Sequence, residues 1–509
     1  MDKYAKNTQG STLQIPVADK TVTTELSGDF TLPDYQPEIK RLLWINAAVL
    51  PPSRYIGDRQ AELAGSIDYY VLYIGSDGAV YCAPLTTEYK VDMPFEFDIG
   101  DIRSLSASTS INPDMISGRV TAPRKISIKC RLKSRISLFG EMAVEDGFAH
   151  GEDGVQVLRG RTLSYRTLRG VGEMLRLSDE VICDSRDGEI RVISAEGKVL
   201  MSEISPSENS VICRGDLYMK LLLCREEGGA PYTVLRKIPF SQNIAVEGAR
   251  AGDGAMAKGS VCELNVTVDE GRIGIETEII IESEVAHGEE NEVVRDVYSI
   301  SKKSDNTYKK IAISSASSCF SGNLTLSDSL PIDEIVITVG ARIIDACGTA
   351  FVDEYCFANG KCALSGKAKI SMLCEKDGEL SVVETELPFN YKTSAEGEFT
   401  RAMAEAQVIF VRARTDGDRV GIDAEIGFCG TASLAGEEKI LDNAFFADDL
   451  NRPGGEITVC YPSVGDSLWS VAKKYGVSLD SLCKNNKISD VGEYDSLESL
   501  KDVNFLLIS

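Results

Sequence analysis

Histidine is almost missing from this chain: His150 and His287 are the two copies in 509 residues. Each stands in Ala-His-Gly-Glu, which reads as punctuation between repeats rather than as a reacting group. Nucleophile–base catalysis and most metal sites use histidine, so its scarcity weighs against both. The phosphate-cradling, dinucleotide-binding and zinc-protease motifs are also missing. Ser470-Val471-Ala472-Lys473 matches a Ser-x-x-Lys pattern, but it lies in a helical stretch where such matches arise by chance. No Cys-x-x-Cys occurs among the fourteen cysteines, and the nearest pair, Cys356 and Cys362, has no second pair to complete a zinc site. Positive charge is short as well. With 54 Lys and Arg against 78 Asp and Glu, the net charge is −24, which argues against nucleic-acid binding and against docking on anionic lipid. No apolar run reaches the roughly 18 residues of a membrane span. The opening Met-Asp-Lys-Tyr-Ala-Lys-Asn-Thr lacks a signal-peptide core, so a cytosolic protein is expected. These absences point to a protein that is not an enzyme and needs no cofactor or metal.

What is present begins with cysteines inside apolar strand-like runs, such as Cys213, Cys224 and Cys374. They read as reduced core thiols. Acidic pairs such as Glu276 and Glu278 read as the solvated side of a strand, and nothing singles out an acid/base dyad. The basic stretch around Arg159, Arg161, Arg166 and Arg169 reads as a solvated strand or helix face, with an acid-binding patch as the alternative.

Most of the chain repeats itself three times. Each copy starts with Glu-Ile, at Glu38, Glu189 and Glu334. Each then reaches a glycine, Gly65, Gly215 or Gly366, which is expected to open an apolar strand. Each next strand ends in Pro-Phe, at Pro94, Pro239 and Pro388, where proline argues for a sheet edge or a strand end. An alternating strand closes the copy. Arg272-Ile273-Gly274-Ile275-Glu276-Thr277-Glu278-Ile279 and Arg419-Val420-Gly421-Ile422-Asp423-Ala424-Glu425-Ile426 are nearly one peptide, with Arg124-Lys125-Ile126-Ser127-Ile128 in the first copy. Period-two alternation marks half-buried antiparallel strands, and runs such as Lys376-Asp377-Gly378 mark hairpin turns. The expected fold class is mainly β: three repeated antiparallel sandwich- or barrel-like domains, then a small βααβ domain. The expected boundaries are 1–154, 155–290, 291–448, a linker at 449–455, and 456–509.

The last segment is the most specific. Its first strand alternates around Ile457 and Val459. Asp466 or Ser467 is placed to cap a helix in which Leu468, Ala472 and Tyr475 make one apolar stripe. Gly476 fits a left-handed C-terminal position, Ser478 caps a second helix, and residues 503–508 form the closing strand. This run resembles a LysM module. Three β units followed by one such module resemble the SipL-like spore-coat morphogenesis proteins, whose β unit is the SPOCS domain. That resemblance implies a non-catalytic scaffold in the mother-cell cytosol at the forespore surface. It implies docking of the tail to the coat-basement ATPase, stage IV sporulation protein A, with other coat proteins as further partners and no insertion into the membrane. The alternative is a binder of peptidoglycan. The expected contact residues are Gly465, Asp466, Ser467, Leu468 and Trp469 on the first loop, with Asn486 and Tyr494 near the second. Trp469 reads first as a packing residue of the small core, since an amphipathic aromatic commonly serves both as core and as interface anchor. That second loop, 487–502, is long and acidic where glycan-binding modules have a short one, which favours a protein surface.

Overall fold

The computed structural model describes residues 11–57, 59–95, 102–144, 154–183, 189–225, 230–269, 271–335, 337, 340–449, 457–488 and 503–508. The first unit holds β1 (Ser11–Thr31), β2 (Ile39–Val49), β3 (Ser53–Ile56), β4 (Gln60–Gly75), β5 (Val80–Pro94), β6 (Ile102–Ala122) and β7 (Lys125–Val144). The second holds β8 (Val155–Val171), β9 (Leu175–Ile182), β10 (Ile190–Ser207), β11 (Ser210–Arg225), β12 (Tyr232–Ala245), β13 (Gly254–Asp269) and β14 (Arg272–Ser299). The third holds β15 (Lys302–Pro331), β16 (Arg342–Ala358), β17 (Lys361–Lys376), β18 (Glu379–Glu396), β19 (Arg401–Asp416) and β20 (Arg419–Asp449).

One topology recurs three times. A terminal sheet carries the order β1-β7-β6, then β8/β9-β14-β13, then β15-β20-β19. A middle sheet carries β2/β3-β4-β5, then β10-β11-β12, then β16-β17-β18. All pairs are antiparallel, and the two sheets of each unit face each other across one apolar core. The fold is therefore a sandwich repeated three times. The cause is the alternation: along β7 every second residue from Ile126 to Val144 is buried, including Ile128, Leu132, Ile136 and Leu138. The boundary expected at 290 lies inside β14, whose pairing with β8 continues to Ser299.

The repeated glycines do not open strands. Gly65, Gly215 and Gly366 lie five residues into β4, β11 and β17. There they sit under an aromatic ring of the edge strand: Tyr89 pairs with Gly65, Phe240 with Gly215 and Phe389 with Gly366. A Cβ on Gly215 would meet Phe240 Cζ at 2.7 Å, and one on Gly366 would overlap the Phe351 carbonyl and meet Phe389 Cζ at 2.8 Å. The ring over the glycine is thus Phe in units two and three but Tyr89 in unit one, so Pro94-Phe95 is not the structural counterpart of the later Pro-Phe pairs. Pro239 and Pro388 lie on edge strands, as a missing N–H requires. Gly366→Ala should lower stability by roughly 1–3 kcal/mol through overpacking, measurable as a fall in the denaturation midpoint.

The three units close into a ring with pseudo-threefold symmetry. β5 lies against β10, β12 against β16, and β18 against β2. Arg191 on β10 donates to the Val80 carbonyl at 2.9 Å, and Arg41, in the equivalent place on β2, donates to the Leu380 carbonyl. Thr233 on β12 donates to the Ile344 carbonyl at 3.0 Å. On the axis, Leu72, Leu222 and Leu373 occupy equivalent positions and share one cluster with the bulged residues Leu43, Ile193 and Ile344. Heterologous contacts that close leave fewer open sheet edges, which are otherwise aggregation-prone.

Ring closure also overturns the solvated reading of part of the basic stretch. Arg166 binds Glu141 of unit one at 2.6 Å, and Arg169 binds Glu284, the Ala107 carbonyl and Ser108 Oγ. Arg161 does face solvent, loosely paired with Glu290 at 4.0 Å. His287 is buried beside Asp253, Nδ1 to Oδ2 2.9 Å, while His150 lies outside the described residues. All fourteen cysteines are free thiols and nine are buried. Burial pushes the Cys213 and Cys374 thiols up to about 11, which keeps them protonated and inert at neutral pH.

Candidate functional site

The tail folds from short, well-capped pieces: β21 (Thr458–Cys460), α1 (Leu468–Tyr475), α2 (Leu479–Asn485) and β22 (Leu506–Ile508). Ser467, rather than Asp466, caps α1. Its Oγ accepts the Ser470 N–H at 3.2 Å, and Ser470 Oγ accepts the Ser467 N–H at 2.8 Å. Gly476 ends the helix in the left-handed region at φ 61°, and Ser478 caps α2 through the Ser481 N–H. β21 and β22 pair antiparallel, with Val459 opposite Leu507. No helix among the described residues is long and apolar enough to cross a membrane.

The expected contact residues divide by what holds them. Gly465 is exposed with φ 96° and has open space around it. Asp466 turns back to accept the Ser463 N–H at 2.8 Å. Ser467 and Leu468 are buried as cap and core. Asn486 is engaged internally: its amide donates to the Leu482 and Leu507 carbonyls, both at 2.8 Å, and accepts the Leu507 N–H at 2.6 Å. It ties the end of α2 to the closing strand. Tyr494 and most of the acidic loop lie outside the described residues.

Trp469 packs into the core rather than lining the loop surface. It is 4% exposed and packs edge-on against Tyr298 of β14, with ring centroids 4.9 Å apart. Its indole N–H donates to Asp296 Oδ2 at 2.8 Å. Lys473, one turn later, reaches the same carboxylate at 2.7 Å, and Asn306 Nδ2 and Tyr308 Oη donate to it at 2.8 Å and 2.6 Å. Burial opposes the Asp296 charge, but the Lys473, Trp469 and Tyr308 hydrogen bonds outweigh it and hold its pKa below the usual aspartate value. Tyr298 Oη donates to the Val477 carbonyl at 2.7 Å, and Leu158 and Tyr298 belong to the same apolar cluster as Leu468, Val471 and Leu482. The tail is therefore seated on the ends of β8, β14 and β15 and completes its core with their residues.

Seating buries the helix side and leaves the sheet side exposed among the described residues. Cys460, Leu506 and Ile508 point inward. Ile457, Val459, Tyr461 and Phe505 are 71%, 46%, 74% and 52% exposed. Four large apolar side chains on the outer side of so small a sheet make a patch of the kind that marks an interaction site.

A family model described as SipL, SPOCS domain matches residues 190–282, and one described as LysM domain matches 464–491. The chain carries a SPOCS domain and a C-terminal LysM domain. The SPOCS match spans β10 to β13 and the first part of β14, and the same strand order recurs in the units on either side. The two domains make this a sporulation-related protein with a module of the peptidoglycan-binding type. No curated protein and no solved structure matches the chain. The LysM match ends inside the acidic loop, ahead of β22. The sequence reading missed Asp296, Tyr298 and Tyr308 because a boundary at 290 assigned them to the start of the next unit. The available signal was the i, i+2 spacing of Asp296 and Tyr298 in the run Val293 to Tyr298, which puts an acid and an aromatic on one strand face.

Proposed function

We propose that this protein is a non-enzymatic scaffold of spore-coat assembly, working in the mother-cell cytosol at the forespore surface. Its LysM module docks the coat-basement ATPase, stage IV sporulation protein A. The observation that carries the reading is the exposed sheet face of that module. Ile457, Val459, Tyr461 and Phe505 offer an apolar surface with aromatic anchors, suited to an apolar patch on a protein. The first-loop residues that a glycan would contact are largely committed elsewhere: Trp469 to Asp296, and Ser467 to its own helix. Support for the scaffold role comes from the SipL-type SPOCS domain.

The test uses the full chain, because the LysM core includes Leu158 and Tyr298 of the β units. Tyr461→Glu and Phe505→Glu should each cut co-purification of the ATPase from sporulating cells about tenfold or more, with an unchanged unfolding midpoint. Undiminished capture by both variants would sink the docking face. Co-sedimentation of the wild type with purified peptidoglycan, without capture of the ATPase, would put the glycan reading in its place.

A further inference from the structure

Symmetry makes the axis of the ring a problem. Three units with one topology present near-equivalent faces, so a unit from a second chain could fill a place in the ring as well as the chain's own unit does. Domain exchange of that kind costs little when the exchanged contacts are alike. The apolar layer on the axis does not discriminate, since Leu72, Leu222 and Leu373 are the same residue in the same place.

The layer beside it does discriminate. Asn46, Glu196 and Cys347 are equivalent by register: they lie opposite Tyr70, Lys220 and Ser371, each five residues beyond the glycine under the ring. Each junction uses a different pair of side chains in or beside this layer. Between units one and two, Asn46 Nδ2 donates to Glu196 Oε1 at 2.7 Å. Between units two and three, Lys220 Nζ reaches Asp345 Oδ2 at 3.1 Å and keeps Glu196 within 3.7 Å. Between units three and one, Cys347 Sγ donates to Asn46 Oδ1 at 3.6 Å. Lys198 extends from unit two to the Val408 carbonyl of unit three at 2.8 Å, and its counterparts are Ala48 and Thr349. Thr233 Oγ1 donates to Asp345 Oδ1 at 3.1 Å. Side-chain exposure is 13% for Lys220, 16% for Glu196 and 3% for Asp345.

We infer that Glu196, Lys198, Lys220 and Asp345 specify the order of the units, so that the ring closes within one chain and excludes units of a second copy. Two carboxylates face two ammonium groups, so the cluster is balanced only in this arrangement. Put unit three in the place of unit two, and Cys347 and Ser371 replace Glu196 and Lys220, leaving Asp345 buried without a cation. A buried unpaired charge is strongly unfavourable, whereas a fully neutral cluster of similar volume costs little. Specificity thus comes from what the wrong arrangement loses. Burial works against the Lys220 ammonium, but Asp345 and Glu196 outweigh it and hold its pKa above the ordinary lysine value.

The test is refolding from denaturant at high protein concentration, read by light scattering. The wild type should return one species. The variant Glu196→Gln, Lys198→Met, Lys220→Met, Asp345→Asn has no charge left in the cluster, and it should return single chains mixed with chain-exchanged oligomers. A neutral variant that returns one species of the wild-type size, even with a lowered midpoint, overturns the proposal, because the cluster then only stabilises. So does a wild type that returns several species. If the fourfold variant does not fold, Lys220→Met with Asp345→Asn asks the same question at the junction of units two and three, and a single species there is equally decisive.

Discussion

Asp296→Ala should release the LysM domain from the ring while leaving the three sandwiches folded. Four donors converge on that carboxylate, from Trp469, Lys473, Asn306 and Tyr308. Removing it leaves the indole N–H and the Lys473 ammonium without their acceptor at a junction where Asp296 is 15% and Lys473 30% exposed. Breaking a buried charged pair by deleting one partner costs about 3–5 kcal/mol. The low end, about 3 kcal/mol, applies here because Lys473 keeps some access to water. The loss is local, so the expected signature is a separate low-temperature transition in calorimetry, with faster hydrogen exchange in α1 and at the ends of β14 and β15. A single transition at the wild-type temperature would show that the apolar contacts alone seat the module. The pH dependence has a defined sign. The carboxylate's folded pKa lies below its unfolded value of about 3.9. Its contribution is therefore fully present above that value and is lost as pH falls through the depressed folded pKa. Docking should be insensitive to this group between pH 5 and 8, about one unit and more above the unfolded value, and should weaken only in strong acid.

The sandwiches were legible because their information is local and repeated. The peptides beginning at Arg272 and Arg419 alternate in the same phase, and each forms the central strand of a terminal sheet. Capping residues made the tail equally readable, with Ser467, Gly476 and Ser478 at the ends of helices. The ring was not legible, for a physical reason. The residues that tell its junctions apart, such as Asn46, Glu196 and Cys347, differ between the copies, while the repeated Leu72, Leu222 and Leu373 read as ordinary core positions. The glycines were found but misplaced, because Gly ahead of an apolar run reads as the start of a strand when its partner ring lies on a neighbouring strand. The docking site was hidden twice over. Asp296 lies just past a bulge between Val294 and Asp296, where the alternation breaks. Its partners on α1 are about 170 residues downstream, at a separation that periodicity cannot sense.

Trp469→Ala should abolish partner capture by an indirect route. The side chain is 4% exposed and turned toward Tyr298, away from the exposed sheet face. Truncating a buried tryptophan costs about 3–5 kcal/mol, from lost apolar burial and the cavity left behind. In a module of two short helices and a two-stranded sheet, that is enough to unseat the domain and loosen it. The double mutant with Asp296→Ala separates this from direct contact. If Trp469 acts through its seat, the two substitutions share an interaction, and the double variant should lose less than the sum of the singles, with a coupling of about 1–3 kcal/mol. If Trp469 instead touches the partner, the losses in capture should add, and Trp469→Phe should fail as badly as Trp469→Ala. Under the seating account Trp469→Phe keeps the packing on Tyr298 and gives up only the hydrogen bond to Asp296. It should then retain most of the capture that Tyr461→Glu removes. A loss of capture by Trp469→Ala therefore does not place the indole in the interface. Under the proposed docking the contact belongs to the residues around Tyr461 and Phe505, and the tryptophan holds the face that carries them in one orientation on the ring.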